Sequence, residues 1–266
     1  MGTPSFTWLG TAGFRIELDG SVILVDPYLS RPERARPVQD LGPADMADAD
    51  FVFISHGHFD HLADVPEIVA HSGASVYCSS VAASTLARKG VPPARLNILR
   101  CGDSVDLGSF RVDIETCRHI MFDHRLLLRT APGVLREAAS LLPHVTGMPS
   151  GPVLVYSFRF GGLTTMQLGS LGLKPEDLPE KNLPRPDILF LPIQGHTDIC
   201  RLAAELACAI RPRAVVPEHH DDFFPPVSRT VKLEPFECMV KRLLPECAYY
   251  EPRINQKFTA EEVLAG

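Results

Sequence analysis

Residues 51–61 read Phe51-Val52-Phe53-Ile54-Ser55-His56-Gly57-His58-Phe59-Asp60-His61. The first four are apolar without a break, the pattern of a strand covered on both faces. Four side chains able to ligate a metal then fall within six positions, so the strand ends in a chemically dense turn. Alternation along an extended chain places His56, His58 and Asp60 on one side. Gly57 permits the tight turn that brings Asp60 and His61 toward the same cleft. Neutral imidazoles with a carboxylate suit zinc, manganese or iron. Three of the chain's ten histidines sit in this short run, which argues against an ordinary solvated loop.

Upstream, Phe6–Leu9, Phe14–Leu18 and Val22–Val25 read as short strands, with the hairpin pair Asp19-Gly20 between the last two. Asp26-Pro27 ends the third. A short helix is expected near Ala44–Ala47. Downstream, helices are expected over Pro66–His71 and Val81–Lys89, each stopped by a glycine. Strands are expected at Val76–Cys78, Asn97–Leu99, Ser104–Leu107, Phe110–Thr116, Val153–Phe160, Leu163–Leu168, Ile188–Leu191, Ala214–Val216 and Cys247–Tyr250. Ile199–Ile210 and Glu234–Leu244 read as helices. Residues 124–150 interrupt this rhythm as an apolar helical insertion, with Thr130 placed to cap a helix from Pro132. Residues 174–186 hold four prolines and read as a loop. Neither a repeat nor a low-complexity linker divides the chain, so residues 1–266 read as one layered domain of α/β (α+β) class.

The 266 residues are 45% hydrophobic and 22% charged, an ordinary globular composition. The net charge of −6 argues against a long nucleic acid as partner. The seven cysteines form no CxxC pair and lie mostly in apolar runs, which points to a reducing cytoplasm. The N-terminus has no signal-peptide pattern and no apolar run reaches spanning length. There is no GxGxxG, GxxxxGK[ST] or GxSxG.

The HxHxDH run resembles the signature of the metallo-β-lactamase superfamily. FTWLGTAGFRIEL followed by VILVDPYL is similar to the opening of the branch containing ascorbate-6-phosphate lactonase and N-acyl phosphatidylethanolamine phospholipase D. Thr11 stands where that opening commonly has His. The resemblance covers roughly Phe6 to Tyr250 and implies an αβ/βα sandwich, two mixed sheets with helices on the outer faces and metals at one edge. It also implies metal ligands at His56, His58, Asp60, His61, His119 and His219. His220, next to His219, is the alternative last ligand or a pocket residue. Asp26 would support the metal loop from beneath. The bridging carboxylate of the family corresponds to Ser170 here, a neutral substitute. Two cations about 3.5–4 Å apart need anionic ligands to offset their repulsion. The expectation is therefore one ion held firmly by His56, His58 and His119, and a second held less firmly by Asp60, His61 and His219.

Gly195-His196-Thr197-Asp198 has two readings: His196 or Asp198 enters the cleft, or Thr197 or Asp198 caps the following helix. Asp123 and His124 read as a solvated loop or as reaching substrate. The implied activity is that of a metal-dependent hydrolase using metal-activated water on a small-molecule lactone, ester or phosphodiester. The divalent transition metal is zinc first, with manganese or iron as alternatives. Asp60 would orient water, and His220 or His196 would protonate the leaving group. The rival readings are a family member that binds without turnover, supported by Ser170, and a nuclease, opposed by the acidic balance. A homo-oligomer is compatible with the sequence.

Overall fold

The apolar runs pair into two seven-stranded sheets. In the computed structural model, which describes residues 2–136, 147–172 and 185–266, the chain order is readable directly in the sheets. The first sheet contains β1 (Ser5–Gly10), β2 (Gly13–Leu18), β3 (Ser21–Val25), β4 (Phe51–Ile54), β5 (Ser75–Cys78), β6 (Leu96–Ile98) and β14 (Lys257–Thr259), in the order β14-β1-β2-β3-β4-β5-β6. The second contains β7 (Ser104–Asp106), β8 (Arg111–Cys117), β9 (Val153–Phe160), β10 (Leu163–Leu168), β11 (Ile188–Pro192), β12 (Ala214–Glu218) and β13 (Ala248–Tyr249), in the order β13-β12-β11-β10-β9-β8-β7. Each sheet is mixed, with an antiparallel part and a parallel part. Thus β1–β3 and β7–β10 are antiparallel, while β3–β6 and β10–β13 are parallel.

Alternation explains why β4 is apolar throughout. Phe53 points into the layer between the sheets, where it meets Tyr77, Phe110, Tyr156 and Phe158. Val52 and Ile54 point outward, under Leu62, Ile68, Val69 and Leu86. Those come from α1 (Phe59–Leu62), α2 (Val65–Ser72) and α3 (Ser80–Arg88). On the other side, Val155, Met166, Leu189 and Val215 face α5 (Ile199–Ile210) and α6 (Glu234–Leu243). The result is the four-layer sandwich that the resemblance implies. Each fully buried aromatic of the middle layer contributes roughly 1.5–3 kcal/mol through removal from water.

The last strand and α7 (Ala260–Ala265) are absent from the sequence reading. Thr259 opens α7 with a capping box, its hydroxyl accepting from the Glu262 N–H and Glu262 accepting from the Thr259 N–H. That Thr-x-x-Glu signal was legible. The three-residue strand before it is set by pairing with β1, a long-range contact.

The insertion helix also differs. It is α4 (His124–Arg136), beginning eight residues before Pro132, which lies inside it. Asp123, not Thr130, caps it, accepting from the Arg125 and Leu126 N–H groups. Thr130 instead donates back to Leu126 O at 3.0 Å. The remainder of the expected insertion helix, residues 137–146, lies outside the described residues, as does most of the 174–186 loop. All seven cysteines are free; although most lie in apolar runs, only Cys78 and Cys247 are buried, and Cys101 and Cys238 are exposed. Among the described residues no helix is long and apolar enough to cross a membrane.

Candidate metal centre

The ligand-type side chains leave the C-terminal ends of strands at one edge of the sandwich, the usual edge for sites in such sheets. Asp26 follows β3, His56 follows β4, His119 follows β8, Ser170 follows β10 and His219 follows β12. The 56–61 run is not the extended chain the sequence suggested. His58 ends the extended part and serves as N-cap of α1, a single helical turn. That turn carries Asp60 and His61 toward His219, while the His61 ring stays against His56 with centroids 4.0 Å apart.

His56, His58 and His119 form the first cage; Asp60, His61 and His219 form the second. Within each, the candidate ligand atoms lie within 4.8 Å of one another. In the first, His56 Nε2 and His58 Nδ1 are 3.0 Å apart. His119 Nδ1 donates to Ile120 O at 2.6 Å, leaving Nε2 as its free lone pair. In the second, Asp60 Oδ2 lies 3.3 Å from His219 Nε2 and 3.7 Å from His61 Nε2. Facing lone pairs of this kind are tolerable when a cation sits between them, so the donor set fits a divalent transition metal in each cage.

Burial and neighbours set the protonation. Burial, reinforced by adjacent imidazoles, drives His56 well below its ordinary range, and it pushes His58 down to about 4. His119 is lowered chiefly by burial as well. Burial alone would raise Asp60, but the His61 and His219 imidazoles outweigh it and hold the carboxyl low. His61 runs the other way. Burial lowers it, yet Asp26 and Asp60 overcome that and leave it raised.

Asp26 is fully buried and bonds three groups beneath the cages. It accepts from Ser55 N at 2.7 Å, from Ser55 Oγ at 2.5 Å and from His61 Nδ1 at 2.9 Å. The last bond fixes His61 with Nε2 toward Asp60. Ser55, unnoticed in the sequence, also lies 3.0 Å from His56 Nδ1 and so links both cages.

Gly57 has a role other than the one its turn suggested. Its φ is not left-handed. A Cβ there would stand 2.1 Å from the Pro149 carbonyl oxygen, beside the Gly57 N–H bond to Ser150 O. Gly57→Ala must therefore push the 56–61 run or residues 149–150 aside. Zinc retained by the dialysed variant is expected to fall by at least one equivalent, measured by atomic emission.

Both cages open on a cavity of about 460 Å³. Phe59, Ile120, Phe122, Met148, Leu171 and Phe223 supply much of its wall. Ser170 is on the wall too, but its Oγ accepts the Ile120 N–H at 3.0 Å, tying down the segment that carries His119. His220 is not among the lining residues. It stacks on Trp8 with centroids 4.7 Å apart, and burial pushes it down to about 4. His196 does not line the cavity either. Its Nδ1 accepts the Asp198 N–H at 3.0 Å and its Nε2 is 3.7 Å from Asp123. Asp198 is the N-cap residue of α5, but its side chain makes no capping bond. Asp123 is tied to Thr197 N at 2.6 Å, so the 120s segment and the α5 entry are one unit.

A Beta-lactamase superfamily domain matches residues 5–219, which include all six cage residues. The chain belongs to the metallo-β-lactamase superfamily. Within it, the chain is similar to a UPF0173 metal-dependent hydrolase of Anaeromyxobacter dehalogenans, 30% identical over 230 residues, 84% of this chain and 76% of that protein. The metallo hydrolase Igni18 of Ignicoccus hospitalis shares the fold, with a TM-score of 0.64 at 20% identity over 97% of this chain and 99% of that one. CmlA, a diiron β-hydroxylase from Streptomyces venezuelae, shares it as well, with a TM-score of 0.60 at 15% identity over 97% of this chain and 54% of that one. One metallo-β-lactamase fold thus carries different chemistries, and the reaction has to be argued from the site.

Proposed function

We propose that this chain is a metal-dependent hydrolase of a small-molecule lactone or ester with an apolar portion, a phosphodiester being the alternative bond. The observation that carries this is two three-residue cages, one neutral and one with a carboxylate, opening together on a largely apolar cavity. A divalent ion bound there, zinc in the first instance, supplies Lewis acidity and makes water nucleophilic at neutral pH. His56, His58 and His119 would hold one ion without neutralising it. Asp60, His61 and His219 would hold the other, with the ionised Asp60 accepting a hydrogen bond from the attacking water. Phe59, Phe122 and Phe223 would pack on the apolar portion of the substrate and exclude bulk water. The test is a panel of chromogenic esters, lactones and phosphodiesters assayed with zinc, manganese and iron. Turnover of none of them would favour the second reading, binding without catalysis, for which Ser170 is the supporting feature: a neutral hydroxyl, already bonded to Ile120, in place of a shared carboxylate.

The two cages would fill unequally. The first carries no proton at neutral pH, because its three imidazoles titrate below their ordinary range. The second must release the proton that the raised His61 retains. Lowering the pH through the His61 titration should therefore weaken the second binding step about tenfold per pH unit. The first step should depend less on pH near neutrality, since all three of its imidazoles are lowered. Calorimetric zinc titration of the apoprotein at several pH values checks this. Two equal steps with equal pH dependence would contradict it.

A further inference from the structure

His219 differs from the other second-cage imidazole in how it is held. His61 is fixed by a side-chain bond from Nδ1 to Asp26. His219 Nδ1 is buried without a hydrogen-bond partner among the described residues. Its backbone is left-handed, with φ 55°. A non-glycine residue holds such a conformation only where its surroundings over-determine it.

Those surroundings run through Thr11. The His219 N–H donates to Thr11 O at 2.8 Å. Thr11 is itself left-handed at φ 52°, an outlier for a β-branched residue. Its own N–H donates to both carboxylate oxygens of Asp221, at 3.2 and 3.0 Å. Its hydroxyl accepts from Arg31 Nη2 at 2.8 Å, and the same Nη2 lies 2.6 Å from Asp221 Oδ2. The Arg31 and Asp221 side chains are 2% and 0% exposed. The guanidinium lies against Gly10, where any Cβ would stand 1.9 Å from Nη2. The buried Arg31–Asp221 pair thus holds Thr11, in the β1–β2 turn, against the segment after β12, and His219 sits at the junction.

We propose that Arg31 and Asp221 are positioning residues for the metal centre: through Thr11 they set the backbone of His219 and so aim its imidazole at Asp60. This rests on the reading above that His219 is a ligand. Replacing the outer partners of a metal ligand commonly alters affinity about 10–100-fold. Breaking one half of a buried ion pair also threatens the fold. The experiment therefore uses Asp221→Asn, the paired Arg31→Met/Asp221→Asn that removes both charges, and Thr11→Val with Thr11→Ser as the conservative control.

Each apoprotein is titrated with cobalt followed by visible absorption, and with zinc by calorimetry. The second step is expected to weaken about 10–100-fold in Asp221→Asn and in the double variant, and less in Thr11→Val. Thr11→Ser should restore it, and the first step should stay within about twofold of wild type throughout. Equal weakening of both steps, or an unmoved second step in folded variants, would overturn the proposal. His219→Ala is the reference. It abolishes the second step if His219 is a ligand, and if it does not, the ligand assignment falls and the clamp with it.

Discussion

Hydrolysis by His58→Ala is expected to fall at least about 1000-fold on whichever ester, lactone or phosphodiester the wild type turns over. Loss of several kcal/mol of transition-state stabilisation by a metal produces an effect of that size. His58 is the best single position for this test. It is half-buried at the cavity wall, and its Nδ1 faces His56 Nε2 at 3.0 Å, so truncation removes a ligand without opening the inter-sheet layer. The metal-free variant should melt within a few degrees of metal-free wild type, and its tightly held zinc should drop by about one equivalent. Activity above a tenth of wild type would remove the first cage from the mechanism.

Asp26→Ala is expected to be the most damaging change that replaces no candidate metal ligand. It strands the buried Ser55 N–H and takes the carboxylate acceptor from the Ser55 hydroxyl and the His61 Nδ1–H. At about 1–3 kcal/mol for each orphaned group, the loss is several kcal/mol. In a chain of this size that lowers the melting temperature by roughly 10 °C or more. Asp26→Asn keeps the volume but turns an amide donor toward donors. It should fold better than the alanine variant while weakening the second metal step about 10–100-fold. Differential scanning calorimetry and zinc titration separate the two effects, and wild-type zinc affinity in Asp26→Asn would show that Asp26 has no part in aiming His61.

Much of the framework was open to a reader of residues alone. The uninterrupted Phe51–Ile54 run marked a central strand, and the glycine after Ser72 adopts φ 70° at the helix C-cap as its position indicated. The HxHxDH run stood out because it follows the strong Phe51–Ile54 strand, while His119 and His219 were picked out through the family resemblance, at the ends of later strands. Where the reading went astray, a competing interaction decided. Asp123 captured the start of α4 from Thr130, and α4 continued through Pro132. His220 and His196 carried the right chemistry, but stacking on Trp8 and a bond to the Asp198 N–H hold them off the cavity wall.

By itself, the order of residues determined two things: local periodicity, and therefore where strands and helices lie, and the presence of enough imidazole and carboxylate at strand ends to hold metals. Those are short-range properties, set by alternation and turn chemistry. The division into two trios was expected from the family resemblance, and only the tertiary structure closes the ligand atoms of each to within 4.8 Å, with the single turn at Phe59–Leu62 carrying Asp60 and His61 toward His219. It also brought Thr11 and Arg31 onto Asp221, some 200 residues away, where burial makes one ion pair govern a backbone angle. Contacts at that separation leave no periodic trace along the chain. They exist only once two sheets have closed face to face and excluded water from the groups between them.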